Sequence, residues 1–155
     1  MNSEQKKAYA MRISQANNVE MIIVSYEIIN TYLEDALGSE NDAEYQSALD
    51  MASRCVEEMQ ANLHYEYEPA KSLKQLYIYV KNLIRDGKYS KDTEAVKRAE
   101  KIMGDLHDSY VKIKDEDNSL PLMQNTQAVM VGMTYGKNKI LDELSNECGN
   151  RGFRV

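Results

Sequence analysis

The sequence predicts an all-α protein: an antiparallel four-helix bundle with a short N-terminal arm and an additional C-terminal segment. Three observations support this fold class. Four long segments carry apolar residues at three- and four-residue spacing, which is the period of an amphipathic helix. The connections between them are short, as they are in antiparallel bundles. The 155 residues include only 7 Gly and 2 Pro, so few positions would interrupt a helix.

The first bundle helix is predicted at residues 19–37. Asn17 and Glu20 have the spacing of a capping box at its start, and Gly38 suits the left-handed residue that often ends a helix. A helix that is apolar on two faces is normally covered on both sides, so we expect it to have neighbours on more than one side. One face carries Val19, Ile22, Tyr26, Ile29, Leu33 and Ala36, and the other carries Met21, Val24, Ile28 and Tyr32.

Each of the other three bundle helices has a recognisable boundary residue, and for the first of them the competent caps are Ser39, Asn41 and Asp42. Pro69 suits the first turn of a helix, and Asp92 can accept hydrogen bonds as an N-cap. Gly87 suits a helix C-terminus. Together with the apolar spacing, these residues predict helices at residues 43–65, 70–85 and 92–114, followed by a solvated break at 115–118.

The two ends of the chain are less regular than the helices between them. Residues 1–18 are mostly polar, and we expect a short arm that folds back on the bundle, not a stable helix on its own. We divide the chain into a bundle domain with its arm, 1–118, and an extension, 119–155. We expect the extension to dock on the bundle, either over a groove or as an extra helix that closes the core. Its apolar residues are Val129, Met130, Val131, Met133, Tyr135, Ile140, Leu141 and Leu144.

Charge and cysteine usage exclude several classes of protein. A net charge of −6 argues against a nucleic-acid binder, because such proteins need a basic face, and against binding to anionic lipid surfaces. Cys55 and Cys148 form no Cys-x-x-Cys pair, so they imply neither a zinc site nor a disulfide framework. The chain has no apolar run of signal-peptide or membrane-spanning length, which favours a cytoplasmic protein without membrane insertion.

No catalytic or metal-binding pattern stands out in the sequence. A di-iron bundle needs two Glu-x-x-His pairs, but Ala61 and Gly104 precede His64 and His107 by three residues. Neither histidine has the Lys-Gly context of a phosphotransfer bundle, although that class and a helical adaptor bundle are kept as alternatives. We therefore predict a binding protein and not an enzyme, with no cofactor and no metal.

Short motifs follow one another in a characteristic order along residues 9–114. Tyr9 is followed by the aliphatic Ile13, and residues 15–26 combine a helix start, an acidic residue and an apolar run that ends in Tyr26. Residues 73–80 contain a Leu-Tyr-x-Tyr segment.

Two further motifs complete the pattern. Lys91 and Asp92 precede the last bundle helix, and residues 106–110 read Leu-His-Asp-Ser-Tyr. In order and spacing these motifs resemble those of the flagellin-specific export chaperones, the FliS family, with Tyr110 standing where that family carries Trp. The resemblance indicates a divergent member with an extra C-terminal tail.

The resemblance implies a cytosolic bundle that binds the C-terminal segment of flagellin, prevents its premature polymerisation and assists its export. Other flagellar export components are a further class of partner. The arm residues Tyr9, Met11 and Ile13 would cover the empty groove. The alternative for each groove residue is packing in the core of the bundle. The predicted partner-binding residues are Ile22, Tyr26, Ile29, Leu33, Leu76, Tyr77, Val80 and Tyr110.

Overall fold

The computed structural model describes residues 1–63 and 68–117, which form five α-helices and confirm the all-α fold. The predicted docking of the extension 119–155 lies outside the described residues. The helices are α1 (Ser3–Gln15), α2 (Asn18–Gly38), α3 (Asp42–Ala61), α4 (Glu68–Ser90) and α5 (Thr93–Asp117).

Helices α2 to α5 form an antiparallel bundle, and α1 packs on the outside of α2. In the bundle, α2 contacts α3 and α5, and α4 contacts α3 and α5. Polar contacts between helix ends show the antiparallel order. Lys114 Nζ lies 3.0 Å from Glu20 Oε1, which joins the end of α5 to the start of α2. Tyr45 Oη donates to the Gly87 carbonyl oxygen at 2.7 Å, which joins the start of α3 to the end of α4.

Helix α2 is the central element, as its two apolar faces predicted. The capping box is present, because Glu20 N donates to Asn17 Oδ1 at 2.9 Å and the Glu20 side chain accepts from Asn17 N. Helix α2 ends at Gly38, but the chain leaves through the extended backbone of Ser39 without a left-handed residue. It packs against three other helices, α1, α3 and α5, so both of its apolar faces are covered.

The N-terminal arm is a helix, which differs from the sequence-based expectation. Gln5 N donates to Asn2 Oδ1 at 2.8 Å, and Asn2 N donates to Gln5 Oε1 at 2.9 Å, so α1 has its own capping box. An isolated helix of 13 residues is marginal in water. Packing against α2 therefore supplies the stabilisation that the short amphipathic pattern lacks.

Helix α4 continues past Gly87 to Ser90, so the predicted end of this helix is wrong. Gly87 has a packing role, because a Cβ built on it would lie 2.3 Å from Val96 Cγ2 of α5. The left-handed residue near this boundary is Lys91, with φ of 51°. Asp92 caps α5 as predicted, since Ala95 N donates to Asp92 Oδ1 at 3.1 Å.

Two other helix ends also differ from the prediction. Helix α3 ends at Ala61, because Asn62 N donates to the Glu58 carbonyl and Leu63 N donates to the Gln60 carbonyl in a tighter turn. Helix α5 continues to Asp117, so residues 115–117 of the predicted break are helical. The acidic residues there do not interrupt it, because a helix satisfies its backbone hydrogen bonds internally.

Candidate partner-binding surface

Six of the eight predicted partner-binding residues lie inside the bundle. Helix α2 holds four of them in the core, and α4 holds two. In this structure they offer no surface to a partner, and their role in binding stays a prediction. Leu76 and Tyr110 are half-buried, so part of each side chain is accessible. The six core residues are Ile22, Tyr26, Ile29, Leu33, Tyr77 and Val80.

The tyrosine hydroxyls of the core bind one another. Tyr26 Oη and Tyr77 Oη lie 2.6 Å apart, and the Tyr26 ring lies 5.6 Å from the Tyr110 ring between centroids. Burial raises the pKa of both Tyr26 and Tyr77, and the neighbouring phenols raise the pKa of Tyr26 further, so both phenols are protonated at neutral pH. The sequence indicated that these hydroxyls need water or a partner, and the structure supplies the partner from within the chain.

Two of the three predicted arm residues face α2. Ile13 is fully buried in the core cluster. Tyr9 Oη lies 3.0 Å from Thr31 Oγ1, and its ring packs against the core. Met11 is 64% exposed and does not contribute to this cover.

A polar cluster joins α1 to α2 and α5. The guanidinium of Arg12 binds both carboxylate oxygens of Glu27, with Nη2 at 3.1 Å from Oε1. His107 Nε2 lies 3.2 Å from the same Oε1. Burial would raise the pKa of Glu27, but the hydrogen bond and charge of Arg12, together with His107, lower it below its ordinary value. We call Arg12, Glu27 and His107 the polar latch.

The surface beneath α1 is the second apolar face of α2. Val24 and Ile28 are buried, and they lie on the same helical face as Thr31 and Asp35, which α1 contacts. The N-terminal ammonium group of Met1 binds Asp35 at the far end of this face. We call Val24, Ile28, Thr31 and Asp35 the α2 stripe.

An open cleft of about 580 Å³ lies beside the first turns of α1. Met1, which precedes α1, and Lys6 in the first turn of α1 line one side, and the largely apolar side chains of Tyr32 on α2 and Met51 on α3 line the others. The apolar surface of α2 and α3 therefore continues beyond the part that α1 covers.

Sequence reasoning missed the polar latch because its members are far apart in the chain. Glu27 and His107 are 80 residues apart, and no local motif marks them. His107 was considered as a phosphoacceptor, but its Nε2 lies beside Glu27 and its Nδ1 is 3.1 Å from Asp108 Oδ1. Both ring nitrogens of His107 lie within hydrogen-bonding distance of carboxylates, so we assign this histidine a role in holding those side chains in place. His64 lies outside the described residues.

Neither a metal site nor a membrane span is visible in the described part of the chain. Residues 1–63 and 68–117 contain no group of three or more His, Cys, Asp or Glu side chains arranged to hold a metal ion. None of the helices in these ranges combines the length and hydropathy needed to cross a bilayer.

Comparison with known families matches the helical region as a whole. A comparison with curated protein sequences finds no match. The family described as "FliS: Flagellar protein FliS" matches residues 1–117, which contain all five helices. The predicted resemblance is thereby confirmed, and the chain belongs to the FliS family of flagellar export chaperones.

Proposed function

We propose that this chain binds the C-terminal segment of flagellin in the cytoplasm, prevents its premature polymerisation and delivers it for export. The observation that carries the proposal is that a separate N-terminal helix packs on α2 along the α2 stripe, in which Val24 and Ile28 are buried. Family membership supports a chaperone role in flagellar export. The proposed binding surface is the α2 stripe, with the adjacent cleft as its entrance.

The proposed partner has chemistry that suits this surface. The terminal helices of flagellin expose apolar stripes that self-assemble, and the family resemblance implies that the chaperone shields one of them. An amphipathic helix that enters a groove places an apolar anchor every three or four residues. Val24 and Ile28 are spaced by four residues, which matches this period.

Helix α1 is held by contacts that a partner can replace. Arg12 is half-exposed, and exposed or half-exposed ion pairs contribute about 0–1 kcal/mol each. Burial of Ile13 contributes about 1.5–3 kcal/mol. Displacement of α1 therefore costs on the order of a few kcal/mol, which several apolar anchors of an incoming segment would offset. The arm acts as an internal cover in this proposal.

Capture on immobilised flagellin C-terminal segment tests both the partner and the surface. We expect the full chain to be captured, and we expect Ile28→Ser to weaken binding by about tenfold or more, as loss of a central apolar anchor does. Ile78→Ser is the control for the same change of side chain, because Ile78 is 36% exposed on α4, a helix whose backbone does not closely approach that of α2 within the described residues. It should stay within about twofold of the parent chain.

Three results would contradict parts of the proposal. Failure to capture the folded parent chain would remove flagellin as the partner and favour an adaptor with a different partner. Capture that Ile28→Ser leaves unchanged would remove the α2 stripe as the surface. Equal losses in both variants would show that the assay reports general damage, so circular dichroism should confirm equal helix content first.

A further inference from the structure

A second apolar surface lies on the opposite side of the bundle from α1, along the seam between α4 and α5. Tyr79 is 48% exposed and Ile113 is 40% exposed. Leu76, Ile102 and Leu106 are half-buried. We call these five residues the α4–α5 strip.

The helix register brings these residues together. Helices α4 and α5 are antiparallel neighbours, and Gly87 lies against Val96. Counting back from Gly87 on α4 and forward from Val96 on α5, residues 76–79 of α4 therefore lie at the same height along the bundle as residues 104–107 of α5. This places Tyr79 and Leu76 beside Leu106.

The spacing keeps the strip on one face of each helix. Leu76 and Tyr79 are three residues apart, and Ile102 and Leu106 are four apart, so each pair shares a helical face. Ile113 follows two turns beyond Leu106. Single exposed apolar residues are ordinary, but here two exposed side chains, Tyr79 and Ile113, share one seam with three half-buried ones, which gives an apolar occupant several contacts.

We propose that residues 119–144 of this chain occupy the α4–α5 strip. The chain leaves α5 at Asp117, one turn past Ile113, which is one end of the strip. Residues 119–136, the first part of this segment, contain no Asp, Glu, Lys or Arg, so docking of this part would bury none of the segment's charges. The family match ends at residue 117, so the proposed occupant belongs to this chain and not to the family pattern.

Length permits this arrangement. The strip from Ile102 to Ile113 runs about 16 Å along α5 at 1.5 Å per residue. A return of the chain over that distance needs about 5 extended or 11 helical residues, which is fewer than the uncharged stretch provides. Attachment beside the strip also gives the segment an effective concentration in the millimolar range, which favours it over a second copy at ordinary protein concentration.

Photo-crosslinking of the full chain tests the proposal without flagellin. The probe p-benzoylphenylalanine replaces Tyr79 in one variant and Arg85, an exposed residue on the other side of α4, in the control. We expect intramolecular links from position 79 to residues 119–144, with a yield that does not change on dilution. Position 85 should give about tenfold fewer such links, because a docked segment would lie out of its reach.

A second pair of variants in the extension makes the test specific. In the position-79 background, Val131→Asp should lower the yield by about tenfold, because docking would bury a charge. Asn150→Asp is the control for the added charge itself, because residue 150 lies outside the proposed segment, and it should change the yield by less than about twofold. Three results would overturn the proposal: links between two copies that grow with concentration, equal yields from positions 79 and 85, or no loss with Val131→Asp. None of these outcomes bears on flagellin binding at the α2 stripe.

Discussion

Gly87 has no side chain, and this allows helices α4 and α5 to pack closely together. Any β-carbon there would overlap Val96 of α5, and the Gly87 carbonyl accepts the hydrogen bond from Tyr45 of α3. Three helices therefore meet at one residue. The sequence alone suggested a helix end at this glycine. Glycine is expected both at a helix terminus and where two helices pack closely, and the sequence does not distinguish the two cases.

Gly87→Ala should destabilise the bundle. The new methyl group would force α4 and α5 apart or shift Val96, and overpacking of this kind typically costs about 1–3 kcal/mol. Gly38→Ala is the matched control, since nothing lies within 4 Å of its Cβ position. Urea unfolding followed by circular dichroism measures both. A Gly87→Ala variant that is as stable as the parent would show that the helices do not approach so closely.

The buried tyrosines give a second prediction for single residues. Tyr26→Phe removes the hydroxyl that binds Tyr77, and the Tyr77 oxygen is left in the core with its partner removed. We expect a loss of about 1–3 kcal/mol in the free energy of unfolding. Tyr89→Phe, at a residue that is 75% exposed, should change it by less than about 0.5 kcal/mol. Equal effects of the two substitutions would contradict the hydrogen-bonded cluster.

Helix α1 shows which elements a sequence can predict and which it cannot. The Asn17–Glu20 capping box predicted the start of α2, and the Asn2–Gln5 box of α1 has the same spacing. The second signal was missed because only a short, mostly polar segment follows it. Tertiary contacts with α2, which no local pattern displays, stabilise this helix.

The two apolar faces of α2 and their coverage from more than one side were predicted, but the elements that cover each face were not. Periodicity shows that Ile22 and Ile28 lie on different apolar faces, and it cannot show what packs on each. The bundle covers the face with Ile22, and α1 covers the face with Ile28. Ile22, Tyr26 and Leu33 are packed in the core of this structure, so their role in binding stays a prediction, and the α2 stripe is proposed alongside it.

The polar latch makes the docking of α1 dependent on pH. Because the pKa of Glu27 is lowered in the folded protein, its stabilising contribution is present above the unfolded value of about 4.3 and is lost as the pH falls through the folded value. Protection factors of α1 amides should therefore fall about two- to fivefold on acidification, as expected for a half-exposed ion pair. Amides of α3 in the same sample report any global loss of stability.

Substitution of Glu27 should weaken the pH dependence of α1 docking. In Glu27→Gln, protection of α1 should be lower at neutral pH and should fall less on acidification than in the parent chain. Some dependence should stay, because the Met1–Asp35 ion pair is a carboxylate contact that remains. Glu34→Gln is the control, because Glu34 is an exposed carboxylate on the same helix. If Glu27→Gln and the parent chain show the same pH profile, the latch does not hold α1.

At the scale of the whole molecule, five helices form a bundle with an internal cover. Net charge, helical periodicity and motif order were enough to predict the architecture and the family. The interior is closed by the chain itself, so a partner has to displace an element or bind outside. The weakest of these elements is α1, which is short and touches only α2 extensively within the described residues.

Calorimetric titration of the flagellin C-terminal segment into the full chain and into a variant lacking residues 1–14 tests this account most directly. If α1 covers the binding surface with a docking free energy of about 1–2 kcal/mol, its removal should tighten binding by about 5- to 30-fold. Circular dichroism establishes that the shortened chain keeps α2 to α5. Equal or weaker affinity in a folded variant would contradict the role of α1 as a displaceable cover over the α2 stripe.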